Sequence, residues 1–393
     1  MRDSFFRNPD EIPHTSAPGI SHSIDDGRSV NDGRSASDLR TDGRFADDGR
    51  SRILCRREWL RRSAVLGGAL ALRGIDGIVR AQDVSATTPS DTPSDATSTE
   101  TTENGNDVVG KDPVDLLIGG PLFDAPAEPE AWVLAHRKLG YRAAFAPPVS
   151  VDELPKIREY ENLCLRHELT IAEVGVWNNL LDPDANRAAE NMKSMEHGLA
   201  LADELGARCC VNIAGSYNRE IWFGPDPKNL SREFFERTVE NARKLIDAVK
   251  PKRTKLAWEI LGWSIPATAE QYLELMKAID RPAFAVHLDP ANAVNRPELF
   301  YDTTAHLNHL FDQLGPFIVS CHAKDLQWVV ETNIHFVEVE CGKGVMDFAT
   351  YMKRVAELPQ KPPVMLEHMA DAAAYDRCRE VLLRICAENG LRA

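Results

Sequence analysis

From residue 112 to the end, short runs of apolar and β-branched residues alternate with longer stretches whose apolar positions recur at helical spacing. The runs are VDLLIGG, YRAAFAPP, LTIAEVGVW, CCVNIAGS, KLAWEIL, AFAVHLDP, FIVSCHAKD and PPVMLEH. The stretches between them predict helices over 130–139, 151–167, 186–205, 232–249, 269–279 and 347–358, with a last one over 372–388. Eight strands in strict alternation with helices predict a parallel (β/α)8 barrel, and about 280 residues is near the ~250 that this architecture needs. The competing solution is an open doubly wound sheet. It is disfavoured because no GxGxxG follows the first strand, and because polar groups close several strands instead of lining one crevice.

Before residue 112 the pattern disappears. Residues 1–50 repeat a short polar theme, DDGRS at Asp25, NDGRS at Asn31, TDGRF at Thr41 and DDGRS at Asp47. Such a composition cannot bury enough apolar surface to offset chain entropy, so a disordered low-complexity extension is expected. In residues 51–83, Arg56 and Arg57 followed by Glu58, Trp59, Leu60 and Arg61 resemble a twin-arginine export signal, with a weakly apolar stretch over Ser63 to Leu72 and Val79-Arg80-Ala81 as a cleavage site. Arg73 and Asp76 interrupt the apolar stretch, which leaves a basic amphipathic helix as the other reading. The stretch is also well short of the ~20 apolar residues of a spanning helix. Residues 84–111 are a Thr/Ser/Asp-rich linker. The expected destination is the periplasm or another exported location, and the cytoplasm if the signal is degenerate.

Composition narrows the function. The apolar fraction of 43% is that of an ordinary globular protein, and a formal charge of -14 argues against a nucleic-acid-binding surface. A small neutral or polar substrate fits better. Eight cysteines are present, but Cys209 and Cys210 are adjacent in an apolar run and no CxxC occurs, so no disulfide framework is predicted. The resemblance to twin-arginine signals implies export in the folded state, which would allow metal loading beforehand.

The candidate chemistry lies at the C-terminal ends of four runs, where a barrel places its active site: Glu259, Asp289, His322 and Glu367. Each alone could be a hydrogen-bonded core residue or half of an ion pair. Together, four ionisable groups in a barrel mouth call for a cation to neutralise them. Oxygen ligands with one imidazole suit Mn²⁺ or Mg²⁺, with Co²⁺ or Zn²⁺ as alternatives, and leave open positions for two substrate oxygens. Such an ion polarises a carbonyl and stabilises an enediolate. Ser320, His322 and Lys324 share one strand face, so Lys324 either meets a substrate hydroxyl or phosphate or pairs with Glu367 or Asp325. Glu173 and Trp177 share a face of the third strand, beside a sugar ring or as barrel filling. His335 and the turn Gly342-Lys343-Gly344 fall in the loop after strand seven, the turn approaching a phosphate or serving only as a turn. His368 is expected to point away from Glu367, into the helix layer.

The order Glu, Asp, His, Glu on strands five to eight, together with HLDPAN and SCHAKD, resembles the xylose isomerase-like TIM-barrel superfamily of sugar isomerases, epimerases and endonuclease-type relatives. The resemblance covers essentially all of residues 112–393. In the ketose 3-epimerase branch it implies that Glu259 and Glu367 bind the metal and form the acid/base pair on opposite faces of the substrate, with Asp289 and His322 completing the shell. That branch commonly carries a histidine a few residues after the strand-six aspartate, where this sequence has Asn292. His287, two residues before Asp289, either substitutes for it or packs. The implied function is a divalent-metal-dependent isomerase or epimerase of a sugar-like keto substrate. One alternative is a metal-dependent hydrolase of the endonuclease type, which needs further His and Asp ligands and a basic groove. The other is a non-catalytic, exported sugar-binding barrel. The expected partner is a small sugar-like molecule, with no nucleic acid and no membrane span, and the barrel could assemble as a homo-oligomer.

Overall fold

The structure is a computed structural model that describes residues 116–393. The expected extension, export signal and linker lie outside the described residues. Eight parallel strands close into a barrel: β1 (Ile118–Gly119), β2 (Ala143–Phe145), β3 (Thr170–Gly175), β4 (Cys209–Asn212), β5 (Lys255–Glu259), β6 (Phe284–Leu288), β7 (Ile318–Ala323) and β10 (Val364–Leu366), with β1 hydrogen-bonded to both β2 and β10. The predicted (β/α)8 architecture is therefore present.

The helices lie around it: α1 (Pro129–Lys138), α2 (Leu154–Arg166), α3 (Ala185–Leu205), α4 (Arg232–Val249), α5 (Ala269–Ile279), α8 (Phe348–Glu357) and α9 (Ala372–Glu388). Most starts have a local chemical cause. Asp184, Ser231, Thr268, Asp347 and Asp371 each accept a hydrogen bond from a first-turn amide, which satisfies donors that a helix cannot satisfy itself. The second helix begins later than the expected residue 151, at Leu154 with Pro155 in its first turn, where a missing N–H costs nothing. Three features were not foreseen. Between β6 and β7 lie α6 (Pro297–Tyr301) and α7 (Thr303–Leu314), and after β7 the chain makes an antiparallel hairpin, β8 (Asp325–Trp328) with β9 (Phe336–Val339).

Apolar residues on alternate strand positions fill two layers. Leu256, Trp258, Val286 and Leu288 join the large core between sheet and helices, whereas Cys209, Val211 and Ala257 pack inside the barrel. Glu259, Asp289 and Glu367 continue the inward series of their strands by simple alternation. Two strands break it. The pairing of β2 with β3 skips Ala172, and that of β6 with β7 skips Val319. Each skipped residue lies on the inner side with the residue after it, as in a β-bulge. Without these bulges Glu173, Ser320 and His322 would face the helix layer.

Candidate metal centre

Four strand ends deliver the expected ligands to one point. His322 Nδ1 lies 2.7 Å from Glu367 Oε2, 2.9 Å from Glu259 Oε1 and 3.8 Å from Asp289 Oδ2. One donor atom from each of the four residues lies within 4.8 Å of all the others. Asn292 sits over this group: its amide N–H donates to Asp289 Oδ1 at 3.0 Å and its side-chain Nδ2 to Glu259 Oε1 at 3.3 Å. It thus ties two of the carboxylates together.

Behind His322, the other ring nitrogen meets Glu173. Nε2 is 3.1 Å from Glu173 Oε1, while Glu173 Oε2 accepts from His287 Nε2 at 2.9 Å and from Ser320 Oγ at 3.0 Å. Glu173 and His287 are buried, and their polar atoms bond to each other and to His322 and Ser320. His287 is thus placed against Glu173, and Glu173, expected beside a sugar ring or as barrel filling, is placed against His322. Trp177 is half-buried against the inner layer of Cys209, Val211 and Ala257.

At the rim, Lys324 Nζ lies 2.7 Å from Asp289 Oδ2 and 3.3 Å from both Glu367 Oε1 and Glu338 Oε1. The expected pairing with Glu367 is present, but Asp325 points elsewhere. Its carboxylate accepts the amide hydrogens of Leu326, Gly342, Gly344 and Met346 at 2.8–2.9 Å. The Gly342-Lys343-Gly344 turn is therefore wrapped around a carboxylate of its own chain, which occupies the amides a phosphate would need. His368 corrects another expectation. Its backbone is left-handed (φ 59°), and its ring sits at the rim, with Nδ1 2.8 Å from Glu338 Oε2 and Nε2 3.2 Å from Glu367 Oε1. His335 lies on the exposed hairpin turn, 3.6 Å from Glu331.

A sequence profile for the xylose isomerase-like TIM barrel matches residues 133–385. The chain belongs to this family. No curated protein matches the sequence. Among solved structures, endonuclease IV from Thermus thermophilus is similar, with a TM-score of 0.53, 17% identity, and coverage of 70% of this chain and 99% of that one. A xylose isomerase-like TIM barrel protein from Mycobacterium smegmatis, solved in complex with magnesium, has a TM-score of 0.50, 16% identity, and coverage of 71% and 98%. The probable 3-DHS dehydratase AsbF of Bacillus anthracis has a TM-score of 0.50, 15% identity, and coverage of 68% and 98%. At these identities the likeness shows the fold, and the printed activities differ from one another.

In this family member the electrostatics of the centre are uneven. Burial, and then the neighbouring Glu367 charge, push the Glu259 carboxyl above its ordinary value. Burial also pushes Glu367 up, but the His322 and Lys324 charges outweigh it and hold Glu367 well below the usual carboxylate range. His322 is likewise opposed by burial, yet Glu367, Glu173 and Glu259 hold its imidazolium well above the ordinary range. The donor set fits a divalent ion. Three carboxylates and one imidazole come from four rigid strand ends, and ligand atoms around a small divalent ion lie about 3 Å apart, close to the contacts observed at His322 Nδ1. An ion there would take the place of the His322 proton as the local positive charge.

Proposed function

We propose that this protein is a divalent-metal-dependent isomerase or epimerase acting on a sugar-like keto substrate, with Glu259, Asp289, His322 and Glu367 holding the ion. Family membership supports the reading; the observation that carries it is that these four strand-end residues offer ligand atoms that all lie within 4.8 Å of one another. A bound Mg²⁺ or Mn²⁺ would polarise the substrate carbonyl and stabilise the negative charge that develops on its oxygen. Glu259 removes the proton from the adjacent carbon. Glu367 serves the other face, and His368 Nε2, 3.2 Å from Glu367 Oε1, is placed to return a proton to it. Asn292 and Lys324 hold the carboxylates in position. A multinuclear hydrolase reading draws on the likeness to endonuclease IV, but the second His-containing group, Glu173 with His287 and His322, is closed by its own hydrogen bonds.

The test is solvent exchange. The full chain, loaded with Mn²⁺ or Mg²⁺ and given a panel of keto-sugars in D₂O, should place deuterium on the carbon beside the carbonyl, read by NMR. Glu259→Gln should keep bound metal while losing about 10²- to 10⁴-fold in exchange rate. Cleavage of a phosphodiester without exchange on any keto-sugar would replace this reading with the hydrolase.

A further inference from the structure

We propose that Glu173 is a positioning residue for the metal centre: from β3, across the barrel, its carboxylate takes the Nε2 hydrogen of His322 and leaves Nδ1 for the ion. The inference rests on the metal reading of the preceding section.

An imidazole can offer either nitrogen, and the one that carries hydrogen cannot ligate. Which one does is set by the hydrogen bond the other makes. In His322 the two nitrogens face different environments. Nδ1 meets the three strand-end carboxylates, and Nε2 meets Glu173 Oε1 at 3.1 Å. The carboxylate itself is pinned on its other side, where Oε2 accepts from His287 Nε2 at 2.9 Å and Ser320 Oγ at 3.0 Å. With three donors on one buried carboxylate, rotation of Glu173 would break three hydrogen bonds at once.

The same contacts argue against a second ion in the group Glu173, His287 and His322. Both carboxylate oxygens are already used, and an ion would have to displace the hydrogens that bind them. His287 is then the group that holds the holder. A hydrogen on its Nε2 leaves Nδ1 bare, and among the described residues that buried atom meets no hydrogen-bond partner. The two bulges serve one arrangement: that at Ala172 turns Glu173 inward, and that at Val319 turns Ser320 and His322 inward to meet it.

Glu173→Gln tests the proposal, because the amide keeps the shape but can accept from one imidazole only by turning its NH₂ toward the other. Two readouts are needed on the full chain. Metal affinity, measured with Mn²⁺ and Co²⁺ against a fluorescent chelator, should fall by roughly 10- to 100-fold. Long-range ¹H–¹⁵N spectra of histidine-labelled protein loaded with Mg²⁺ should show His322 with its hydrogen on Nε2 in the wild type and a changed tautomer in the variant. A wild-type spectrum with the hydrogen on Nδ1 overturns the proposal even if the variant fails to fold. Unchanged affinity together with an unchanged His322 signal in Glu173→Gln overturns it while leaving metal dependence intact. A wild-type chain that binds none of these ions overturns both this inference and the proposed function.

Discussion

Lys324 shows how much one side chain decides. It is 2% exposed and lies against Asp289, Glu367 and Glu338, so it partly neutralises the same carboxylates that would ligate an ion. Burial opposes its charge, but Asp289 and Glu367 hold its ammonium well above the ordinary lysine range. Removing one member of a buried charged group typically costs about 3–5 kcal/mol, because the partners are left uncompensated. Lys324→Met keeps most of the apolar stem and deletes the charge. Its loss of stability should be largest without added metal and smaller with saturating Mn²⁺, so that unfolding midpoints with and without the ion separate further than in wild type. Equal losses under both conditions would show that lysine and ion do not share one charge-balancing role. The choice between substrate contact and ion pair at Lys324 was open in the sequence, because Glu338 lies in a hairpin that the strand–helix alternation did not announce.

At the scale of elements, the hairpin β8–β9 is where local reading fell short. It follows β7 directly and brings Glu338 back to Lys324 and His368, while Phe300 of α6 stacks on Phe336 with ring centroids 4.8 Å apart. Its base is tied by Asp325, whose four amide donors include residues 17 to 21 positions away in sequence. Asp325→Ala would strand amides of the buried Leu326 and Met346 without partners, at about 1–3 kcal/mol each. Destabilisation on the order of 3 kcal/mol is expected, with faster hydrogen exchange at Gly342, Gly344 and Met346. Exchange confined to its wild-type rate at those amides would mean that the loop does not depend on this carboxylate. The helices, by contrast, were legible nearly to their ends: α4, α5 and α9 run over the expected residues, because an apolar stripe and a capping side chain are both local signals.

For the whole molecule, the response to acid follows from two buried histidines that are not among the candidate ligands. His136 in α1 and His306 in α7 are buried and held by the carbonyls of Trp132 and Pro290. Burial lowers both to about 4, against the partial opposition of those carbonyl contacts. Between about 4 and 6.5 the unfolded chain binds protons that the folded chain refuses, so this contribution is complete above about 6.5 and is lost as the pH falls toward 4. At pH 5 the loss is on the order of 2 kcal/mol for each histidine. Urea unfolding at pH 7 and pH 5 should show this loss, and His306→Asn should show a smaller one; an identical pH dependence in that variant would contradict the assignment. The barrel can be read from the chain alone, since eight apolar runs alternating with amphipathic stretches have few other ways to bury their faces, and so can the strand ends that carry Glu259, Asp289, His322 and Glu367. That His322 faces inward, and that Glu173 and His287 meet behind it, comes from the packing of strands against one another. Side-chain direction alternates with every residue, so a single skipped position at Ala172 or Val319 inverts a strand's faces, and whether a position is skipped depends on the neighbouring strand.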